Sequence, residues 1–305
     1  MAQLKGVDVS KYQKQIDWQQ VDTSMDFALI RIGMGNVLSQ KDPYFDTNVT
    51  QAIAHTLFVG GYYFGYATSI SDAQKEADVC NQILAPYKGK LLFPIAYDYE
   101  YDSYNYFVKT VGRAPTNAEI NSFACAFLDR MKAYGWFVNL YTNGDYINSG
   151  KFSATTIKSY DIWLADYTGA PDYPCGIQQT GSKGIVQGIT GNVDIDVSTK
   201  DYPTIIQAGG YNGYPKQQVT AVKIDTTSNV KMAVGDMYTF WTQCGQRPTV
   251  SVGTAGVVNL KFCRRDPDGK DFWHIIFIGK SGTATGIYTA APGETPTKRF
   301  VAQVA

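Results

Sequence analysis

The sequence lacks an excess of charge of either sign. Its 305 residues contain 27 Lys and Arg against 27 Asp and Glu, so the formal net charge at pH 7 is zero. Nucleic-acid-binding domains usually carry a basic excess that neutralises phosphates, so a nucleic-acid partner is not expected. No apolar run reaches the roughly 18 residues of a membrane-spanning helix, so membrane insertion is not expected either.

Histidine and cysteine are also scarce, with two and five residues respectively. No Cys or His spacing is typical of a zinc site, and no His has the partners of a catalytic triad, so we expect no metal and no cofactor. The odd number of cysteines favours free thiols and synthesis in a reducing cytosol, with a Cys244–Cys263 bridge left open. The first residues contain no apolar h-region, so a secretory signal is not expected.

Strand-like and helix-like segments alternate through the first two thirds of the chain. Predicted strands lie at 4–10, 26–32, 57–66, 91–100, 136–141, 160–165, 184–187 and 193–197. Predicted helices lie at 44–55, 71–85 with Ser71 as N-cap, and 116–134 with a Thr116/Glu119 capping box and Gly135 at its end. Such alternation implies parallel strands with crossover helices. Because some later connections are short, we expect an irregular β/α-barrel, similar to a TIM barrel.

The composition changes near residue 208. The segment 208–217 (AGGYNGYPKQ) is rich in Gly and Tyr and predicts a linker between a barrel domain at 1–207 and a second domain at 218–305. Short alternating runs follow at 220–224, 229–233, 237–242, 249–252, 257–263, 272–278 and 286–289. They predict a small all-β antiparallel sandwich, immunoglobulin-like in outline.

The strongest chemical signal is a pair of carboxylates at the end of an apolar strand. In PIAYDYE at 94–100, Asp98 and Glu100 stand at i and i+2, which places both side chains on one face with Cα atoms roughly 6.5–7 Å apart. Two acids held close together cannot both ionise freely, so one pKa rises. A glycosidase keeps its acid protonated near neutral pH in this way.

Two further strands also carry acids among apolar neighbours. Asp8 lies in GVDVS at 6–10, and Asp194 lies in GNVDID at 191–196. Burying a carboxylate costs several kcal/mol unless it has a partner or a task. Either acid alone is readily explained as a structural group that binds backbone amides. Because the ends of parallel barrel strands meet at one rim, the whole set favours a functional cluster.

The ordered motifs resemble those of glycoside hydrolase family 25 lysozymes. They are GVDVSKYQ at 6–13 followed by IDW at 16–18, FALIR at 27–31, GYYF at 61–64, PIAYDYE at 94–100, LYTN at 140–143, IWLADY at 162–167, VQ at 186–187 and GNVD at 191–194. The resemblance covers roughly residues 4–203. It implies a β/α-barrel that cleaves the β-1,4 bond between N-acetylmuramic acid and N-acetylglucosamine. Asp196 departs from the family pattern, in which Asn is usual at that position. Tyr97 and Tyr99 also depart from it, because smaller residues often occur beside the acid pair.

The resemblance also implies roles for the residues. Glu100 is expected to be the general acid. Asp98 is expected to orient the substrate's acetamido group or the attacking water, while Asp8 and Asp194 shape the field around the reacting sugar. Aromatic and polar residues at strand ends are expected to line the sugar groove: Tyr62, Phe64, Tyr141, Trp163 and Gln187. Barrel packing explains the aromatic residues equally well, and Arg31 is interpreted as the partner of a buried carboxylate.

Two alternatives remain at this stage, a catalytically inactive glycan-binding barrel and a barrel glycosidase for another N-acetylated glycan, such as chitin. The second domain contains no acid pair, so we expect it to bind the cell wall, including a secondary wall polymer, or to self-associate; a spacer is the alternative. The absence of a signal predicts a bacteriophage endolysin that is made in the host cytoplasm and released through a holin pore. A secreted bacterial autolysin is the alternative.

Overall fold

In the computed structural model, which describes residues 3–216 and 221–305, the chain divides into two compact units. The first is Met1–Lys216 and the second is Gln217–Ala305. Among the described residues, no helix combines the length and apolar character needed to cross a membrane. All five cysteines are free, so Cys244 and Cys263 do not form a bridge.

The first unit contains a closed barrel of eight strands that follow one another in chain order. They are β1 (Leu4–Val9), β2 (Phe27–Met34), β3 (Phe58–Phe64), β4 (Ile95–Asp98), β5 (Val138–Asn143), β6 (Asp161–Ala165), β7 (Ile177–Gly184) and β8 (Val193–Ser198). Neighbours from β1 to β7 are parallel, whereas β8 runs antiparallel to both β7 and β1. The expected irregular β/α-barrel is confirmed, and β8 is its main irregularity.

Eight α-helices lie around this barrel in the described part of the first unit, and three of them were predicted from the sequence. They are α1 (Trp18–Val21), α2 (Phe45–Ala54), α3 (Ile70–Leu84), α4 (Tyr101–Val111), α5 (Asn117–Ala133), α6 (Gly144–Asn148), α7 (Ala154–Ser159) and α8 (Tyr202–Gly209). The predicted N-cap of α3, Ser71, is wrong, because the hydroxyl of Ser69 accepts the hydrogen bond from the Asp72 amide. Among the helices that were not predicted is α4, of which only Ser103 and Phe107 are buried.

The best-defined predicted helix, α5, is confirmed with its ends. The Thr116 hydroxyl accepts a hydrogen bond from the Glu119 amide at 3.2 Å, and the Glu119 carboxylate accepts one from the Thr116 amide at 2.8 Å. Together these bonds satisfy two amides that the first turn would otherwise leave free. Gly135 follows the helix with φ of 87°, a left-handed conformation that favours glycine.

Alternation along β2 shows how the barrel separates apolar packing from chemistry. Ala28 and Ile30 pack outward in the core shared with the helices, whereas Phe27 and Leu29 point into the barrel and pack in an interior cluster with Phe93 and Trp163. The next inward position is Arg31, which lines the cleft described below. The amino-terminal half of the barrel interior is therefore sealed by apolar side chains, and the carboxyl-terminal end is polar.

Two predictions about the end of the first unit need correction. The strand predicted at 184–187 is wrong, because β7 occupies Ile177–Gly184 and Val186 and Gln187 follow in a loop and turn. After Ile177, β7 continues with Gln178 and Gln179 and lacks the apolar pattern that predicts a strand. The predicted linker at 208–217 is also largely wrong. Asn212 is fully buried and donates to the carbonyls of Leu91 and Phe93 at 3.0 and 3.1 Å, so this segment packs on the barrel.

The second unit consists of two four-stranded sheets. Its strands are β9 (Lys223–Ile224), β10 (Val230–Met232), β11 (Met237–Gln243), β12 (Thr249–Val252), β13 (Val258–Arg265), β14 (Asp271–Phe277), β15 (Ala284–Ala290) and β16 (Thr297–Val304). The sheets have the orders β10-β16-β15-β12 and β13-β14-β11-β9, and both contribute side chains to one buried cluster. The expected all-β architecture is confirmed.

The second unit also differs from the predicted sandwich in detail. The sequence analysis missed β16, whose first half is polar and exposed. The pairing of β10 with β16 is parallel, so the sandwich is not purely antiparallel. Residues 217–220, which include the end of the predicted linker and the start of the first predicted strand, lie outside the described residues.

Candidate active site

The polar end of the barrel opens into a cleft of about 440 Å³. Asp8 on β1, Asp98 at the end of β4, Glu100 just after it and Asp194 on β8 all line this cleft. The structure therefore brings together the four carboxylates that were predicted as catalytic. They come from three separate parts of the chain. Asp8, Asp98 and Glu100 lie toward the carboxyl ends of parallel strands, whereas Asp194 lies near the start of the antiparallel β8, opposite Asp8.

The register of the strands explains which site residues are neighbours. Asp8 lies opposite Asp194 in the antiparallel pair of β1 and β8. Across the parallel strands, Asp98 lies beside Tyr141, and Tyr141 lies beside Trp163. Because all of these side chains point inward, they form a continuous wall of acids and aromatic rings.

Glu100 stands where β4 ends and α4 begins. It is the N-cap residue of α4, and its amide donates a hydrogen bond to the Ser103 hydroxyl at 3.2 Å. Its side chain is half-buried; burial and the neighbouring charges of Asp102 and Asp194 raise its pKa above the ordinary range. A carboxyl group of this kind keeps its proton at a pH at which exposed glutamates have lost theirs.

Asp98 is more deeply buried, with 6% of its surface exposed. Burial and the charge of Glu100 raise its pKa well above the usual range, and the nearby Arg31 guanidinium acts in the opposite direction. Its Oδ1 has no hydrogen-bond partner among the described residues. Since buried polar atoms are nearly always paired, this oxygen is available to a substrate group or a water molecule.

Asp8 is held from the opposite side of the cleft. Its Oδ2 accepts a hydrogen bond of 2.7 Å from the side-chain amide of Gln179 on β7. Burial and the charges of Asp196 and Asp194 raise the pKa of Asp8, against the effect of this hydrogen bond. The deeper Asp196 receives a hydrogen bond of 2.8 Å from the Trp163 indole, and burial raises its pKa to about 8.

The interpretation of Arg31 as the partner of a buried carboxylate is confirmed. Its Nε and an Nη atom both lie 2.8 Å from Oδ2 of Asp42. Asp42 also accepts hydrogen bonds from the backbone amides of Lys11 and Tyr44. This arrangement fixes the guanidinium at the cleft wall, where its charge lowers the pKa of Asp98.

The aromatic residues predicted to bind sugar all line the cleft, but they are not equally accessible. Tyr62 and Trp163 are 8% and 2% exposed and pack edge-to-face at 5.8 Å. Phe64 and Tyr141 are half-buried and offer more surface. Three further cleft residues, Tyr12, Tyr66 and Tyr167, are at least as open, and the sequence analysis did not select them. Exposed rings of this kind suit the apolar faces of sugars.

The structure does not bring Gln187 to the site. Gln187 is exposed in the turn after β7 and does not line the cleft. Gln179 lies there instead: its amide oxygen accepts hydrogen bonds from the hydroxyls of Tyr141 and Tyr167, and its nitrogen donates to Asp8. The signal for Gln179 was its position on a barrel strand, which the sequence analysis placed several residues too late.

A second cavity, of about 560 Å³, continues from the first. It shares Glu100, Tyr141 and Tyr167 with the cleft and extends over Asp145 and Tyr173. The two cavities together form a groove with Glu100 near its middle. A groove that is open on both sides of an acid can hold a polymer that is cut internally.

The arrangement can perform acid-catalysed cleavage of a glycosidic bond. A half-buried carboxylic acid with a raised pKa opens into a groove that is also lined by Asp8, Asp98 and Asp194, and such an acid can protonate a leaving oxygen. The other carboxylates can stabilise positive charge on a sugar ring. Among the described residues, no group of three or more His, Cys, Asp or Glu side chains is arranged to hold a metal ion.

Comparison with known families gives one match, to the sequence model described as "Glycosyl hydrolases family 25", over residues 7–187. This range includes the second half of β1 with Asp8, and β2 to β7 with Asp98 and Glu100. It ends before β8, so the two acids of that strand lie outside the matched range.

Individual relatives are distant. The chain is 25% identical over 200 residues to "Lysozyme M1" from Streptomyces globisporus, which covers 63% of this chain and 66% of that protein. The modular autolysin LytC from Streptococcus pneumoniae, solved with a synthetic peptidoglycan ligand, is 24% identical to this chain, with a TM-score of 0.55. The match covers 64% of this chain and 46% of the LytC chain. This chain thus spans less than two thirds of the length of either protein.

One solved structure resembles both units. The spore cortex lytic enzyme SleM from Clostridium perfringens has a TM-score of 0.54 and 14% identity, and the match covers 99% of this chain and 98% of that one. At this identity the likeness shows the fold alone. It indicates that a barrel followed by a β-rich unit is not unique to this chain.

Proposed function

The chain belongs to glycosyl hydrolases family 25, and on this premise we propose that it hydrolyses the β-1,4 bond between N-acetylmuramic acid and N-acetylglucosamine in bacterial peptidoglycan. One observation carries the proposal: Glu100, with a raised pKa, faces a groove together with Asp98, Asp8 and Asp194. The relative named as a lysozyme supports the choice of substrate.

Each acid has a separate role in the proposed reaction. Glu100 donates its proton to the glycosidic oxygen as the bond breaks. Asp98, whose Oδ1 is unpaired in the described structure, binds the acetamido group of the substrate or the attacking water. Asp8 and Asp194 lie opposite each other and stabilise the positive charge that develops on the sugar ring.

The chemical identity of the new chain ends tests this proposal. Purified peptidoglycan and chitin are digested separately with the full chain, and the reducing ends are reduced and identified. We expect reduced muramic acid from peptidoglycan and little product from chitin. Reduced glucosamine from peptidoglycan would mean that the enzyme cuts the other β-1,4 bond of the same glycan, and faster cleavage of chitin would assign the barrel to another N-acetylated glycan. No product from either would make it a glycan-binding barrel without activity.

We propose that the second unit retains the enzyme on the cell wall through the outer face of one sheet. On this face Trp241 lies opposite Phe272, and Phe272 lies opposite Arg264. Arg264 stacks on the Phe272 ring at 4.2 Å, and the Lys270 ammonium lies 5.0 Å from the centre of the Trp241 ring. Rings with cations beside them suit sugars that carry phosphate.

The charge of the two units agrees with this role. Residues 217–305 contain ten Lys and Arg against six Asp and Glu, whereas the rest of the chain contains 17 against 21. The overall neutrality therefore hides a basic second unit. A phosphate-bearing secondary wall polymer is the partner that such a unit fits, and binding it raises the effective concentration of the barrel at the wall.

Binding of an inactive full chain to walls tests the second proposal. Glu100→Gln is combined with Arg264→Glu or Trp241→Ala, and sedimentation with purified walls is measured before and after removal of phosphate-bearing polymers. We expect both changes and the removal to weaken binding, while Lys298→Glu on the other sheet does not. Equal binding by all variants would indicate a spacer. Self-association of this unit remains a separate prediction, to be measured by light scattering at rising concentration.

The cell wall is therefore the proposed site of action. Synthesis in a bacterial cytoplasm with release through a holin pore belongs to the same proposal and agrees with the five free thiols. Expression inside a bacterium, with and without a holin, tests the route. Lysis that depends on the holin supports it, and lysis without the holin favours the secreted alternative.

A further inference from the structure

Two buried carboxyl groups lie side by side beneath the cleft without a cation between them. Asp196 is fully buried and Asp8 is 5% exposed, and their carboxyl groups are within hydrogen-bonding reach of each other. In residues 3–216 and 221–305, no Lys or Arg forms an ion pair with either of them. Two carboxylates in contact away from water cannot both ionise, so the pair holds a proton.

The neutral neighbours of the pair show how the proton is shared. The Trp163 indole donates to Oδ1 of Asp196 at 2.8 Å, and the Gln179 amide donates to Oδ2 of Asp8 at 2.7 Å. The remaining oxygen of Asp196, Oδ2, has no partner among the described residues. If this oxygen carries a proton, it can donate a hydrogen bond to the Asp8 carboxylate, which is within reach.

The position of each acid decides which of them carries the proton. Asp8 lines the cleft, where its charge faces solvent and substrate, whereas Asp196 does not reach the cleft. We propose that Asp196 is a positioning residue that remains protonated and donates a hydrogen bond from Oδ2 to the Asp8 carboxylate. Asp8 then receives two hydrogen bonds, from Gln179 and Asp196, and its negative charge is fixed toward the substrate.

The surrounding charged and titratable groups favour a single negative charge on the pair. They are Asp194 on the same strand, Asp98 on β4, Tyr62 on β3, Tyr141 on β5, Tyr167 after β6 and Arg31 on β2. The acids oppose a second negative charge, and Arg31 is already engaged by Asp42. Burial raises the pKa of Asp196 to about 8, and burial together with the charges of Asp196 and Asp194 raises the pKa of Asp8 well above its usual range, so the pair keeps a proton at neutral pH.

The protonation state can be measured without reference to activity. The full chain is labelled with carbon-13 at the aspartate carboxyl carbon, and the resonances are assigned by Asp196→Asn, Asp8→Asn and Asp166→Asn. We expect the Asp196 resonance at the protonated position at pH 7, moving near pH 8, and the Asp8 resonance at the carboxylate position. Asp166, whose pKa is lowered by hydrogen bonds from Thr168, gives the carboxylate reference. An Asp196 resonance at the carboxylate position would overturn the proposal.

The functional part of the inference rests on the proposed hydrolase activity. Asparagine at position 196 keeps a neutral hydrogen-bond donor toward Asp8, whereas alanine removes it. Asp196→Asn should therefore be about tenfold more active on peptidoglycan than Asp196→Ala, because one hydrogen bond to a charged group has about this effect. Equal activity of the two variants at wild-type thermal stability would overturn the positioning role. A chain with no hydrolytic activity would refute the proposed function, and the resonances would still locate the proton.

Discussion

Gln179 and Asp8 are joined by a hydrogen bond of 2.7 Å although they are 171 positions apart in the chain. Gln179 lies on β7, Asp8 lies on β1, and β8 lies between these strands in the sheet. Inside the barrel, this bond links β7, one of its last strands, to β1, its first strand. The orientation of the Asp8 carboxylate therefore depends on a residue from the opposite end of the barrel sequence.

Replacing Gln179 by Ala should lower hydrolysis about tenfold or more. The change removes a donor to the buried Asp8 and leaves this carboxylate with one partner fewer, which costs about 1–3 kcal/mol. Initial rates on peptidoglycan measure the effect. Gln187→Ala is the matched control, because Gln187 is exposed outside the cleft and should retain full activity. A reversed order of the two variants would support the original assignment of Gln187.

Replacing Glu100 by Gln should reduce hydrolysis by about 100-fold or more while the protein remains folded. The amide cannot donate a proton to the leaving oxygen, and general acids typically contribute this much. Turbidity loss of a wall suspension measures activity, and circular dichroism checks the fold. Wall clearance at the wild-type rate would exclude Glu100 as the acid.

Removing the negative charge of Asp102 should move the alkaline limit of activity to lower pH. Burial and the Asp102 charge raise the pKa of Glu100, and the reaction needs Glu100 protonated. In Asp102→Asn the pKa of Glu100 falls, so the acid loses its proton at a lower pH. The pH profile of kcat/KM measures the shift. An unchanged alkaline limb would mean that another group sets it.

Replacing Glu76 by Gln should stabilise the protein increasingly as the pH rises. Glu76 is fully buried on α3 and accepts hydrogen bonds from the Tyr66 amide and the Tyr97 hydroxyl. Burial raises its pKa from 4.5 to about 8, so the folded state holds the proton more tightly than the unfolded state. Stability is then lost between these two pH values, by at most about 1.4 kcal/mol per pH unit.

The difference in melting temperature between Glu76→Gln and wild type should therefore grow from pH 5 to pH 8 and become constant above. Glutamine still offers an oxygen to the Tyr66 amide and carries no charge. Glu119→Gln is the control, since its pKa is lowered to about 2 by Arg113 and should give no such rise over this range. A constant difference for Glu76→Gln would contradict the raised pKa.

Replacing Asn212 by Ala should destabilise the barrel by about 2–4 kcal/mol. Its side chain donates to the Leu91 and Phe93 carbonyls and accepts from the Phe137 amide, and alanine leaves these buried groups unpaired. Chemical denaturation measures the loss. A decrease in the free energy of unfolding of less than about 0.5 kcal/mol, as is usual at surface positions, would restore the linker interpretation of this segment.

Local patterns sufficed for the strands and helices whose own residues carry the signal. The apolar run of β2 and the capping box of α5 predicted these elements because both signals come from neighbouring residues. Other elements lacked such a pattern: after Ile177, β7 continues with glutamines, glycines and other polar residues, and only two residues of α4 are buried. Their structure depends on contacts with distant parts of the chain.

The sequence by itself predicted the barrel and the acids at the ends of its parallel strands, because alternation along a strand and the ends of parallel strands are local properties with a fixed geometric consequence. Asp194 lies instead near the start of the antiparallel β8. Only the tertiary structure decided the partners of these acids. It replaced Gln187 by Gln179, placed Asp196 against Asp8 without a cation, and packed Asn212 on the barrel. Hydrogen bonding and burial depend on which residues meet across the barrel, and spacing along the chain does not contain this information.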